Sequence, residues 1–307
     1  MEKWVLQRGW VVSVIVRTSG VYNSKGEKID ELNNWLVYFK KVDIAVVCIS
    51  TLDDGLIAYN YIRILLDNGI LVVTSEKGAV GNYFPELKQW VGEGKIGYSA
   101  VVGGGTRLLH QAKLILSSET TEIHLVINGT LNYIFYWLGQ GKSLEEVIDD
   151  VKRLHYAEPG AESPNEIIDT EANKDVPMKI ASFINLCGLG EIQAREIMVK
   201  PIGKEDLNRL VEEKSFRRYI VSLSRREQEE DVIGGFKFEI NGWYVSAGFK
   251  DCRKNPLSRY QIPKGVDNAI WIYGPDLTFF LYGPGAGPEH TVRGAIMRDL
   301  EDLLNIG

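Results

Sequence analysis

The sequence predicts an α/β protein: a Rossmann-type doubly wound parallel sheet followed by a second, mixed α+β domain. Three observations predict it. In the first hundred residues, short Val/Ile-rich runs alternate with amphipathic segments, the pattern of buried parallel strands joined by crossover helices. After about residue 106 that alternation stops, and 218–224, 235–249 and 268–282 read as antiparallel strands. The 307 residues suffice for two domains of ordinary size.

In order, VVSVIVRT (11–18) reads as a strand and EKIDELNNWLVYFKK (27–41) as a helix. DIAVVCIS (43–50), ILVVTSEK (70–77) and IGYSAVVGGG (96–105) read as further parallel strands, with a helix over 54–69 that ends on Gly69. TRLLHQAKLIL reads as helical, EIHLVING (122–129) as a strand and TLNYIFYWLGQG as helical again. Ser143 and Glu146 have the spacing of a capping box before LEEVIDDVKRLHY. A further helix is expected from about Asp175, with Pro177 in its first turn, where a missing N–H costs nothing. A last helix covers about 288–305. The expected division is a dinucleotide-binding domain over 1–105, with the helix 288–307 packing back on it, and a substrate and dimerisation domain over 106–287.

The composition is that of a soluble globular protein, 45% hydrophobic and 25% charged. A net charge of −6 and the lack of a long basic run argue against nucleic acid or an anionic membrane as partner. The N-terminal residues form no apolar signal core, and no run approaches a membrane span. Cys48, Cys187 and Cys252 lie far apart in no metal-ligand pattern, as expected of reduced thiols in a cytoplasmic protein.

Several stretches carry candidate chemistry, each with a plainer reading beside it. The segment from Tyr156 to Lys179 holds six carboxylates and two lysines, with prolines at 159, 164 and 177. It reads either as a solvated loop before a capped helix or as a site for a cationic substrate. Asp175 and Lys179, four apart, share a helix face, which commonly means a surface pair. VVGGGTRLL reads first as a tight strand-to-helix turn, and INGTLNYIF as a helix capped by Asn128 or Thr130. VTSEK puts hydroxyls and Lys77 at the carboxyl edge of a parallel strand, where ligands of such sheets bind; a solvated lysine is equally plain.

Together VTSEKGA, VVGGG, INGTLNYI, YAEP, DVPMK, GVDNAIWIY and YGPGAG occur in the order and rough spacing of the homoserine dehydrogenase family, which the chain resembles over nearly its whole length. The resemblance implies a cytoplasmic homodimer that uses NADP, or NAD, to interconvert L-aspartate 4-semialdehyde and L-homoserine in threonine, methionine and isoleucine biosynthesis. By the same resemblance Lys179 serves proton transfer, Lys77 lies by nicotinamide and substrate, and Glu158 and Asp175 bind the amino-acid substrate. Asp169 or Glu171 takes a further carboxylate position, Asp169 being the first choice. A monovalent cation such as sodium matches Val102, Gly104 and Thr106. Gly285 and Gly287 touch the cofactor, as do Ser50, Thr51, Thr74 and Ser75 at the strand ends. Arg17, Thr18 and Ser19 suit a 2′-phosphate better than a ribose hydroxyl, with a solvated arginine as the plain alternative.

Departures from the family pattern stand beside these matches. No Gly-x-Gly-x-x-Gly precedes VVSVIVRT, so the sequence is expected to start late, lacking the family's first strand, with a slot left beside 11–17 and 43–49. His155 stands where the family has glycine, and Ser99 where it has an acidic cation ligand. A second reading is therefore a catalytically impaired, cofactor-free homologue acting as a structural or regulatory dimer; a third is an oxidoreductase for another small amino-acid aldehyde.

Overall fold

The structure, a computed structural model, describes residues 2–51, 54–157 and 161–304. Three sheets organise them. β1 (Val14–Arg17), β2 (Gly20–Asn23) and β3 (Lys28–Asp30) form a small antiparallel sheet in that order. β4 (Ile44–Val47), β5 (Leu71–Thr74) and β6 (Ile96–Gly97) form a parallel sheet, with Ile44 opposite Leu71 and Val72 opposite Ile96. β7 (Glu122–Val126), β8 (Arg217–Ser224), β9 (Ile233–Ile240), β10 (Trp243–Asp251), β11 (Asp267–Gly274) and β12 (Leu277–Pro284) make an antiparallel sheet in the order β12-β11-β7-β8-β10-β9.

The α/β class with a parallel sheet and a second α+β region holds, but the first strand does not belong where the sequence put it. β1 turns back on itself: Arg17 pairs with Gly20 across Thr18 and Ser19, so a two-residue hairpin replaces a crossover. Gly20 has φ +136, and a Cβ there would lie 2.5 Å from Lys28 Cε. The segment 27–41 is likewise not one helix, because β3 occupies its start and the helix Trp35–Phe39 only its end. Among the described residues no strand pairs with the outer edge of β4.

The parallel sheet is covered on both faces. The helix Leu56–Asp67 buries Ala58, Ile62, Leu65 and Leu66 in one cluster with Ala45, Val47 and Val72. A second cluster joins Ile44, Val46, Leu71 and Val73 to Val5 near the N-terminus and to Met297, Leu300 and Leu303 of the last helix. The largest core lies between the six-stranded sheet and the helices over 129–139, 144–153 and 164–186. The capping box of Ser143 and Glu146 is formed.

The helix expected to start at Asp175 instead runs without a break from Pro164 to Leu186. Its middle, Glu171–Asp175, is a π-turn. The π-turn absorbs the extra residue just ahead of Pro177, whose ring would clash with the carbonyl four residues back in a regular helix. Among the described residues no helix is long and apolar enough to cross a membrane.

Candidate active site

The site forms where three elements meet: the short helix Lys77–Asn82 after β5, the Asn-Gly-Thr turn after β7, and the π-turn of the helix 164–186. Glu171, Asp175 and Lys179 lie four residues apart, so they form one stripe on that helix. Lys77 reaches the stripe because Gly81, one turn later, lies directly against Met178; a Cβ on Gly81 would sit 2.7 Å from the Met178 carbonyl oxygen.

Asp175 is 2% exposed and takes two ammonium groups. Lys77 Nζ lies 2.5 Å from its Oδ1 and Lys179 Nζ 2.6 Å from its Oδ2. Burial alone would raise this carboxyl; the charges of Lys179 and Lys77 outweigh it and hold Asp175 below the usual carboxylate range. Asn128 completes the cluster. Its Nδ2 donates to Asp175 Oδ2 and to Glu171 Oε2, each at 2.7 Å, while its Oδ1 accepts from Leu131 N at 2.7 Å. The capping role read from the sequence is therefore real, and the same side chain spans two buried carboxylates as well. Only the amide type in Asn-Gly-Thr hinted at that second role.

Thr130 donates to the Tyr156 carbonyl at 2.6 Å, tying the turn to the chain that leads to residue 158. Glu158 itself lies outside the described residues. Asp169 points away from the cluster, its Oδ1 accepting from Ile202 N at 3.1 Å. Glu171, buried against Asn128, is the carboxylate that the helix brings to the site.

The residues matched to a dinucleotide separate into two groups. At the carboxyl ends of β4 and β5, Thr51 donates to Glu76, Ser75 Oγ lies 3.4 Å from Cys48 Sγ, and Thr74 donates to the Val47 carbonyl. Ser50 is exposed beside them. Gly285 and Gly287 lie in the loop after β12 that faces the Asn-Gly-Thr turn: a Cβ on Gly129 would approach Ala286 Cβ to 3.3 Å, and one on Gly285 would lie 2.1 Å from Asn268 Cγ. These two sets of residues lie close to the Asn-Gly-Thr turn and the buried lysines. Arg17, Thr18 and Ser19 stand apart on the β1–β2 hairpin, with the Arg17 guanidinium 5.3 Å from the Tyr22 ring centre and Ser19 Oγ 2.7 Å from Tyr22 OH. The hairpin explains this: those residues close a local turn, so they do not end a strand of the parallel sheet.

The glycine turn packs against the last helix, since a Cβ on Gly105 would lie 2.6 Å from the His290 carbonyl oxygen and one on Gly294 2.2 Å from that of Gly105. Around the residues matched to a cation, Thr106 Oγ1 donates to the Gly103 carbonyl at 2.6 Å and accepts from Leu108 N at 3.2 Å. Gly104 O accepts from Arg107 N at 3.4 Å.

Comparison with known proteins bears on the family and the fold. The family model described as homoserine dehydrogenase matches residues 108–300, more than half of the chain. A homoserine dehydrogenase of Sulfurisphaera tokodaii is 25% identical over 267 residues, 86% of this chain and 77% of that protein. An NAD(+)-dependent homoserine dehydrogenase of Pseudomonas canavaninivorans is 26% identical over 187 residues, 60% of this chain and 51% of its own. Among solved structures, a hyperthermophilic archaeal homoserine dehydrogenase in complex with NADPH superposes with a TM-score of 0.67 at 20% identity, covering 99% of this chain and 93% of the other. That last likeness speaks for the fold, while the family model rests on the very segment that holds Asn128, Asp175 and Lys179: the chain belongs to the homoserine dehydrogenase family.

Proposed function

We propose that the chain interconverts L-aspartate 4-semialdehyde and L-homoserine with a nicotinamide dinucleotide, in the cytoplasmic synthesis of threonine, methionine and isoleucine. The observation that carries this reading is the pair of lysines held on one buried carboxylate beside Asn128 and Glu171. When bound, a dihydronicotinamide would supply the hydride that reduces the aldehyde carbon. Lys179 Nζ gives its proton to the carbonyl oxygen as that oxygen becomes an alcohol, and takes it back in the reverse direction. Lys77, on the other oxygen of Asp175, adds positive charge where the developing alkoxide would sit.

Both oxygens of Asp175 are already occupied, so its part is to hold the lysines in place. Recognition of the substrate ammonium falls to Glu171 and Glu158. For the cofactor we take NADP, with Arg17 on the β1–β2 hairpin as the cation for its 2′-phosphate. We also take the chain to act as a homodimer through the part of the outer sheet face that carries Tyr244, Tyr273 and Tyr282, each more than a third exposed; the rest of that face is covered by the segment around Cys252 and Leu257.

The test is oxidation of L-homoserine with NADP or NAD raised to saturation, followed by absorbance of the reduced nicotinamide. Turnover is expected, with Lys179→Ala slower by about 10²-fold or more. A folded protein that turns over homoserine with neither cofactor would leave the reading of a cofactor-free homologue. One observation favours that second reading: the carboxylates of Asp54 and Glu76 already take the N–H groups at the starts of the helices after β4 and β5.

A further inference from the structure

The glycine turn sits beside an arginine in an unusual position. Arg107 closes the turn in the left-handed conformation, φ +50, which strains a non-glycine residue. Its side chain is only 17% exposed and reaches back under the turn. The guanidinium Nη2 lies 2.5 Å from Asp302 Oδ2 and 3.4 Å from Asp299 Oδ1, and Nε donates to Ser99 Oγ at 3.4 Å. Ser99 in turn gives its N–H and its hydroxyl to Asp299, at 2.7 and 2.5 Å. Asp299 is 4% exposed, and Gly97 makes room for it: a Cβ there would lie 2.6 Å from Asp299 Cβ. One guanidinium thus joins the end of β6, the glycine turn and the last helix.

We propose that Arg107 is the resident cation of this turn, so that the chain takes up neither sodium nor potassium there. Two observations carry the proposal. First, Arg107 reaches the position where an acidic cation ligand is expected: that position is Ser99, whose N–H and hydroxyl go to Asp299 and whose Oγ accepts from Arg107 Nε, while the Thr106 hydroxyl and the Gly104 carbonyl already bond within the turn. Second, a cation is already in place: the Arg107 guanidinium lies between the buried Asp299 and the more exposed Asp302 and offers directional N–H groups where an alkali ion would need several oxygens. His110 adds no competing positive charge: burial, then the charge of Arg107, lower its pKa, and its Nδ1 lies 3.3 Å from Arg107 Nη2.

Thermal unfolding in sodium, potassium or choline chloride at matched ionic strength tests this. The midpoint is expected to be the same in all three salts; a saturable rise in sodium or potassium alone overturns the proposal. Arg107→Ala removes the internal cation and leaves Asp299 and Asp302 beside the turn. Its midpoint in choline should fall by about 4 °C or more. Sodium, potassium or low guanidinium should restore part of that loss saturably. A fall that none of the three cations repairs makes Arg107 a strut only and also overturns the proposal. The wild-type measurement decides the matter even where Arg107→Ala does not fold.

Discussion

Lys77 and Asp175, ninety-eight residues apart in sequence, meet at 2.5 Å in the interior, with Lys179 on the other carboxylate oxygen. The two lysine side chains are only 14% and 15% exposed, so the carboxylate between them neutralises charge that water does not reach well. Asp175→Asn leaves two ammonium groups facing an amide. Unfolding free energy should drop by about 3 kcal/mol, the scale for breaking a buried pair from one side. The pH dependence follows from the depressed carboxyl: its contribution is present above the ordinary value of 3.8 and is lost as pH falls towards about 2. Denaturant titrations across that window should show a slope in the native protein that is smaller in Asp175→Asn. Equal slopes would mean that Asp175 is not the group that titrates.

Asn128 offers a sharper test of positioning, because its side chain has two separable duties. Asn128→Asp keeps an oxygen for Leu131 N but loses both donors and adds a third acid beside Glu171 and Asp175. Asn128→Ala loses everything. If the bridge to the carboxylates matters, both variants should lower kcat by about tenfold or more, while only Asn128→Ala loses the cap, worth about 1 kcal/mol. The acid limb of the Asn128→Asp rate profile should also move to higher pH, since three close carboxyls cannot all stay ionised. A kcat that follows stability alone would reduce Asn128 to a cap.

Much of this was legible before any coordinates, and what was not has physical reasons. The strands β4 and β5 and the antiparallel hairpins announced themselves by continuous apolar runs and by alternation. The pairing of Asp175 with Lys179 followed from spacing, whereas its partner Lys77 came only through resemblance, since nothing local links residue 77 to residue 175. The β1–β2 hairpin was missed because four-residue strands give too little periodicity, and a Thr-Ser-Gly reversal resembles the end of a Rossmann strand. The choice between Asp169 and Glu171 turned on where the helix begins: because it runs back through residue 171, Glu171 lies four residues before Asp175 on one stripe and Asp169, six before, does not. Pro177 was read as part of a helix start.

His155 shows a departure from the family pattern with a measurable cost. Its backbone is left-handed, φ +54, the conformation in which glycine is unstrained and an L side chain is not. The chain ahead of residue 158 thus needs the turn that glycine makes easily, and histidine adopts it under strain. His155→Gly should raise unfolding free energy by about 0.5 kcal/mol, readable as a small rise in the thermal midpoint. A lower midpoint would mean that the imidazole makes contacts worth more than the strain.

The last prediction concerns the dinucleotide. In an open α/β sheet a pyrophosphate binds at the carboxyl ends of the strands, on free backbone N–H groups at a helix N-terminus. Here the two helices that follow β4 and β5 both have carboxylates at that position. Asp54 Oδ1 accepts from Leu56 N at 3.0 Å at the start of the helix Leu56–Asp67. Glu76 takes Gly78 N at 3.0 Å and Ala79 N at 2.5 Å at the start of the next. A phosphate arriving there meets negative charge and amides already bonded, and Arg17 is engaged with Tyr22 on a separate sheet. Calorimetric titration of NADP into this 307-residue chain should therefore show weak binding, with Kd near 1 mM, about −4 kcal/mol. Glu76→Gln removes one charge and one of the two oxygens that accept from Gly78 N and Ala79 N, which frees an amide for a phosphate, and it should tighten binding by several-fold. Micromolar binding by the unaltered chain would show that another segment supplies the pyrophosphate site and that these two carboxylates do not guard it.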